Sequence, residues 1–311
     1  MDNLCHTLAG WALSEAGLKR TTPLAGAALL VGANLPDVDG LAYLKGSLAA
    51  LSFRRGLTHG VLAMAVWPFV LAGLLLAWDR WVRRRTAPAD PPARFGPLLL
   101  VSAIGVVSHP LLDLLNTYGV RLLSPFSDRW FYGDALFVVD PWMWLLLGGG
   151  AFLSRRLARR NAPAAPRPVR IALGLAAGYV VAMLAGGHIV ARRAAEASSP
   201  GGRGARSALA APLPVTPVRR ALIVDEGDRY ALGEWAPLAA EPLRVFPESL
   251  PKNADADAAR RAAATDEGRR FLAWSRYPVF ELLSDGSVLI SDLRFRVRGI
   301  RWATLRVPPA P

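Results

Sequence analysis

The stretch Val61-Leu-Ala-Met-Ala-Val-Trp-Pro-Phe-Val-Leu-Ala-Gly-Leu-Leu-Leu-Ala-Trp78 carries no charge over its whole length. As a helix it reaches about 27 Å at about 1.5 Å per residue, close to the roughly 30 Å hydrocarbon core of a bilayer. Three more stretches have similar length and apolarity. Residues 95–118 are free of charge from Phe95 to Leu112 and hold His109. Residues 135–153 are interrupted only by Asp140. Residues 171–191 contain no Asp, Glu, Lys or Arg and include His188. The pattern predicts full membrane spans at 61–78, 95–118, 135–153 and 171–191. Ahead of them, Leu8–Gly17 and Pro23–Leu35 are apolar but too short to cross alone. They predict a short helical hairpin set partly into the membrane. The fold class expected is mainly α, a polytopic membrane helical bundle, with a small C-terminal α+β domain.

Composition agrees with the spans. The 311 residues are 52% hydrophobic and 20% charged, with mean hydropathy +0.26. That excludes a purely soluble chain and a disordered one. A single cysteine, Cys5, excludes a disulfide scaffold. The net charge of +13 and pI ≈ 11.0 point to nucleic acid or an anionic membrane surface. The distribution of charge selects the membrane, and no direct nucleic-acid partner is expected. Lys19, Arg20, Arg80, Arg83, Arg84, Arg85, Arg94, Arg155, Arg156, Arg159, Arg160, Arg167 and Arg170 fall on alternate loops. Lys45, Arg54, Arg55, Arg121 and Arg129 fall on the others. By the positive-inside rule the richer set is cytoplasmic. The N-terminus, the 36–60 and 120–134 loops and everything after 191 are then expected outside. Arg192, Arg193, Arg203 and Arg206 run against this, but long tails follow the rule poorly. The first basic residues follow the first apolar stretch, so no cleavable signal is expected.

Residues 1–193 therefore read as a membrane domain and 194–217, rich in Ala, Gly, Ser and Pro, as a linker. Residues 218–311 read as an extracytoplasmic α+β domain. In it Arg219–Trp235 alternates like two strands, Ala254–Trp274 is helix-forming, and Tyr277–Leu283 with Val288–Val297 forms a hairpin about Ser284-Asp-Gly-Ser287. Leu293, Phe295 and Val297 alternate with Arg294, Arg296 and Arg298, which predicts one apolar and one basic face. Ile300–Val307 is expected to add a strand.

Ionisable residues beside apolar spans are costly and commonly functional. They collect at Asp2 and His6, at Asp37 and Asp39, at Arg54, Arg55 and His59, at His109 and Asp113, and at Asp128, Asp134 and Asp140. The expected topology places all of them toward one side. His109 and Asp113 are four apart and share a helix face, so together they can chelate one ion. Pro110 predicts a break or a fresh helix start there. Asp37 and Asp39 flank an extended turn and point opposite ways, so one of the two is the direct ligand. Mixed His and carboxylate ligands suit zinc, with manganese or iron as alternatives. The bland readings are an inert buried thiol for Cys5, a helix–helix hydrogen bond for His188, an aromatic belt for Trp130, Tyr132, Trp142 and Trp144, and helix caps for Asp134 and Asp140.

These motifs in this order resemble a known family. Met1-Asp-x-x-x-His6, Asn34-x-Pro-Asp-x-Asp39, Arg54-Arg-Gly-x-Thr-His59, His109-x-x-x-Asp113, Ser124-Pro-Phe-Ser-Asp-Arg-x-x-x-x-Asp134 and Asp140-Pro-Trp142 resemble the YdjM-like family. The resemblance covers residues 1–145 and extends weakly to Phe271-Leu-Ala-Trp-Ser-Arg-Tyr-Pro278. It implies a bacterial inner-membrane, metal-dependent hydrolase, in a family to which a LexA-binding role has also been attached. The order of His, Asp, His and His-x-x-x-Asp is similar, more weakly, to zinc-dependent phospholipase C and the single-strand nucleases. Those enzymes use further His and Glu ligands downstream, where this chain has only His188 left, so the resemblance implies one or two metals here.

The function expected is metal-dependent hydrolysis of a phosphoester or amphiphilic substrate by a metal-activated water. His6, Asp39, His59, His109 and Asp113 are the expected metal ligands. Asp37 is expected to act as base or to orient a ligand, and Arg54 and Arg55 to bind an anionic group. The lipid bilayer is the expected partner. A membrane regulator with a structural metal is the alternative, and a transporter using His and Asp as an ion path is a third reading.

Overall fold

The structure, a computed structural model, describes residues 1–46, 50–51, 53–198, 204–297, 300–301 and 303–309. Arg298, one of the expected basic positions, lies outside the described residues, as does Arg203. The chain folds as two units, Met1–Leu41 with Arg54–Ala182, and Ala42–Phe53 with Met183–Pro311.

The first unit is helical. Its helices are α1 (Asn3–Glu15), α2 (Ala25–Gly32), α3 (Val61–Trp78), α4 (Phe95–Leu114), α5 (Pro141–Arg159) and the first part of α6 (Arg167–Ala197). The hairpin expected at the N-terminus is α1 and α2. Asp2 starts α1 by accepting from the Cys5 N–H, and it also accepts from the Trp144 indole. A 3₁₀ segment, Leu35–Lys45, follows α2. α2 packs on α4 through two glycines. A Cβ at Gly32 would meet the Val106 nitrogen at 3.1 Å, and one at Gly105 the Ala28 oxygen at 3.1 Å. Small residues thus bring the two backbones together, as in membrane helix pairs. Ala28, Leu29, Ala72, Leu98 and Val101 close this core.

Among the described residues, three helices are long and apolar enough to cross a membrane: Val61–Thr86, Phe95–Leu114 and Arg167–Ala197. Their outward faces carry exposed Phe69, Leu74, Leu175 and Val181, surface that suits hydrocarbon better than water. The span expected at 135–153 is different. α5 begins only at Pro141, where Asp140 accepts from the Trp142 and Met143 N–H groups, and its last turns carry Arg155, Arg156 and Arg159. An Asp cap with Pro at the first helical position fixes that start. Ala135 and Leu136 instead donate to the Leu115 carbonyl in a loop. The break expected at Pro110 does not occur, since α4 runs through it. A proline removes one N–H from the ladder, and tight packing of neighbouring helices compensates.

The second unit carries the sheets. β1 (Ser207–Pro212), β2 (Arg220–Asp225), β3 (Arg229–Trp235) and β4 (Leu243–Pro251) form an antiparallel sheet in that order. Val190 and Ala194 of α6 pack against its Leu222 and Val224. The helices α7 (Asp257–Ala264) and α8 (Asp266–Trp274) lead to β5 (Pro278–Leu282) and β6 (Val288–Asp292). β7 (Arg296–Val297) pairs with β8 (Ile300–Arg301), and β9 (Thr304–Val307) joins β6. Two expectations need correcting here. The stretch 194–217 is not simply a linker: Ala-rich sequence carries α6 to Ala197, and Ser207–Pro212 pairs with β2. The strand expected through Val297 is interrupted by a 3₁₀ turn at Leu293–Phe295. Arg294 is buried there with Leu293 and Phe295, not turned to a basic face.

Candidate metal centre

Four side chains from three segments of the first unit converge. Asp37 comes from the 3₁₀ segment after α2, His59 from the turn before α3, and His109 and Asp113 from successive turns of α4. One ligand atom from each lies within 4.8 Å of all the others. His59 Nε2 is 3.1 Å from His109 Nε2. Asp113 Oδ2 lies 3.4 Å from the first and 3.6 Å from the second, and Asp37 Oδ1 is 3.8 Å from both. Donors around a tetrahedral ion with bonds of about 2.0 Å stand about 3.3 Å apart. The cluster therefore has nearly the right size for a single ion.

The hydrogen bonds behind the rings sharpen this. His109 Nδ1 lies 2.7 Å from the Ala33 carbonyl, which only accepts, so Nδ1 carries a proton. His59 Nδ1 faces Thr58 Oγ1 at 2.9 Å and Asp39 Oδ2 at 3.2 Å, while Thr58 Oγ1 itself donates to Asp39 Oδ2. That Nδ1 is a donor as well. Both Nε2 atoms of the neutral rings then present lone pairs to each other. Two lone pairs at that distance repel unless a proton or a cation lies between them. Fixing the outer nitrogen of a His ligand in this way is how metal sites set tautomer and direction. Asp113 Oδ2, buried beside both, makes no hydrogen bond. The donor set of two imidazoles and two carboxylates fits a divalent cation.

Burial works against charge at His59, yet Asp113 and Asp39 outweigh it and raise its pKa above the ordinary value. Burial likewise disfavours the Asp39 carboxylate, but His59, Thr58 and the Arg55 N–H together lower its pKa.

The sequence expectations land as follows. Asp37, not Asp39, enters the four-residue group. Asp39 is spent on support: its Oδ2 accepts from the Arg55 N–H at 2.8 Å and from Thr58, and its Oδ1 lies 3.4 Å from Arg54 Nε. Arg55 is not free for an anion. Its guanidinium donates to Asp113 Oδ1 at 2.9 Å, to Asn116 Oδ1 and to the Gly119 carbonyl, beneath the Tyr118 ring. Arg54 donates to Asp37 Oδ1 at 3.0 Å. Both arginines therefore hold the site's carboxylates. His6 is adjacent without joining the four. Its ring stacks on His109 at 3.7 Å, and its Nε2 lies 3.3 Å from Asp113 Oδ1, the oxygen that Arg55 also holds. The Met1 amino group pairs with Asp113.

Asp140 caps α5 and accepts from the Tyr179 hydroxyl, Asp128 pairs at the surface with Arg121, and Asp134 sits in a left-handed turn. None of the three belongs to the cluster. Cys5 is buried, which pushes its thiol up to about 12. His188 is exposed on α6. Trp130 lies against Tyr118 and under Arg121, bracing the loop. Sequence reasoning missed Thr58, the Ala33 carbonyl and Asn116. Only Thr58 left a signal, as the neighbour of His59.

Helices of spanning length around a buried His/Asp cluster define the first unit as a membrane-type helical domain able to hold a metal. The chain belongs to the YdjM inner membrane protein family, whose model matches residues 1–190. It is also similar to the uncharacterized protein YfhP of Bacillus subtilis, with 27% identity over 155 residues, covering 47% of this chain and 43% of that one. The chain thus spans less than half of that relative's length. No solved structure matches.

Proposed function

We propose that this chain is a polytopic inner-membrane hydrolase that uses one divalent metal, zinc by preference, on a phosphoester or amphiphilic substrate. The carrying observation is the pair of facing Nε2 atoms of His59 and His109, 3.1 Å apart, with both outer nitrogens committed as donors. Asp37, His59, His109 and Asp113 would hold the ion. When bound, a divalent cation supplies Lewis acidity at a phosphoryl or carbonyl oxygen and lowers the pKa of water. The chain's own groups do the rest. Arg55 fixes Asp113, and Asp39 with Thr58 fixes His59. Hydrolysis moves the hydroxyl of water to phosphorus or the acyl carbon and its proton to the leaving alcohol. In this reading the site faces the periplasm, and the C-terminal domain is periplasmic, on the split of basic residues among short loops.

The full burial of His59, His109 and Asp113 favours a second reading, a membrane regulator with a closed structural metal. The experiment is metal analysis of the purified full chain, wild type against His109→Ala, with hydrolysis of a generic phosphodiester measured before and after chelation. Hydrolysis lost and restored with metal supports the enzyme. Bound metal with no hydrolysis supports the regulator, and wild-type protein without metal sinks both.

A further inference from the structure

Among the described residues, the buried cluster meets solvent at a single side chain, that of Asp37. The side chains of His59, His109 and Asp113 are 0% exposed, and that of Asp37 is 8% exposed. Asp37 also lines an open cleft of about 480 Å³ beside the cluster, within the usual size range of small-molecule sites. The other lining residues are Leu30, Val31, Leu35 and Val38, with Asn3 and Asn34. Val31 is 45% and Val38 43% exposed, so the aliphatic surface is open. Among the described residues, no cationic side chain lines the cleft. The nearby guanidinium groups of Arg54 and Arg55 are engaged with Asp37 and Asp113. Asn34 is tied to Thr7 Oγ1 and the Leu30 carbonyl, so its amide shapes the wall.

We propose that this cleft takes the alkyl chain of a membrane lipid and presents the adjoining polar group to the Asp37 side of the metal centre. The assignment rests on the metal-hydrolase reading and adds the substrate's apolar half and the residues that select it. A lipid is the occupant because four of the seven lining residues, Leu30, Val31, Leu35 and Val38, are aliphatic, with Val31 and Val38 open to the outside, while the polar ones, Asn3, Asn34 and Asp37, sit beside them without a cation. An inserted peptide would bring backbone N–H and C=O groups that such a wall leaves unsatisfied. An anionic headgroup would find no clamp in the cleft, so chain contact, not head charge, sets selection.

The test uses the full chain in nanodiscs containing phosphatidylglycerol with a diazirine on its acyl chain. Cross-links are mapped by mass spectrometry, and metal content is measured on the same samples. Labelling should concentrate on residues 30–38 above the level at exposed Leu74 on α3, and excess unlabelled phosphatidylglycerol should compete it away. Val31→Trp fills the cleft with apolar volume and should remove that labelling while keeping wild-type metal. Val38→Trp serves the same purpose if the first variant misfolds, and Val181→Trp on α6 should change nothing. Labelling at 30–38 no stronger than at Leu74, or indifferent to both tryptophans, overturns the proposal. So does displacement of the label by an apolar peptide but not by lipid. Metal-bound protein with no enrichment sinks the cleft alone, whereas metal-free wild type with Val31-sensitive labelling sinks the hydrolase reading alone.

Discussion

Each unit buries a cluster of ionisable side chains, and the two clusters are built on opposite principles. In the second unit Asp292 and Arg294 are both 0% exposed, and every oxygen and donor at their centre is matched. Asp292 accepts from Ser275 Oγ, from the Arg276 N–H, and from the backbone and guanidinium of Arg294. Arg294 also donates to the Trp274 carbonyl and lies over its ring at 4.7 Å. In the first unit the Nε2 atoms of His59 and His109 face each other at 3.1 Å, and among the described residues Asp113 Oδ2 beside them has no hydrogen-bond partner. Buried polar groups are ordinarily satisfied, and exceptions call for an explanation. The saturated cluster holds a fold together, whereas the first unit's cluster is one that could hold a cation.

The strongest way to break this contrast is to delete a donor. His109→Ala should reduce bound metal in the purified chain to a small fraction of wild type, and Asp113→Asn should do the same without changing size. In a double-mutant cycle on metal affinity, His109 and Asp113 should couple by roughly 0.5–3 kcal/mol, the range for residues that act together. Additive losses would mean that the two do not share one ion.

The converse experiment is Asp292→Ala. Removing one partner of a buried pair typically costs about 3–5 kcal/mol, because the other charge is stranded. The second unit should unfold at lower denaturant, read by proteolysis, while metal content stays at wild type. Acid should act on the same pair. Burial pushes the Asp292 carboxyl up, but Arg294 and Ser275 overcome this and lower its pKa below the ordinary value of 3.8. Its stabilising contribution is therefore complete above that value and is lost as pH falls through the folded pKa. Asp292→Asn should flatten that part of the stability curve, and an unchanged acid limb would show that the pair is not responsible.

A smaller effect is expected behind the ligands. Asp39→Asn and Thr58→Ala should weaken metal affinity by about 10–100-fold while leaving full occupancy at saturating metal. Complete loss of metal in Asp39→Asn would promote Asp39 to a ligand. The smallest effect belongs to His188→Ala, which should leave metal content unchanged, since that residue is exposed on α6. A large drop would show that the second unit takes part.

The sequence made His109 and Asp113 legible, because a spacing of four on an apolar helix admits one reading. α3 was equally plain, with the same ends in sequence and structure. The choice between Asp37 and Asp39 was not legible. Alternate residues of an extended stretch point opposite ways, but the chain there is a 3₁₀ segment that turns Asp39 back toward the Arg55 and Thr58 donors. The role of Arg55 depends on a left-handed backbone, φ 54, which no arginine advertises. The start of α5 was present in Asp140-Pro141, but the apolar run ahead of it outweighed a two-residue signal. Arg294 was misplaced because alternation reads as a strand even where a 3₁₀ turn folds three successive residues inward.

The order of the donors along the chain has a consequence for biogenesis. Asp37 and His59 leave the ribosome well before His109 and Asp113, and α3 lies between the two pairs. No early fragment therefore contains all four side chains of the cluster. On the proposed metal reading, an ion meeting the nascent chain would be captured only after α4 has been made and packed on α2. Because ion binding contributes folding free energy to such a unit, the ion would act as the last component fitted, locking a helical arrangement that the translocation machinery has already laid out.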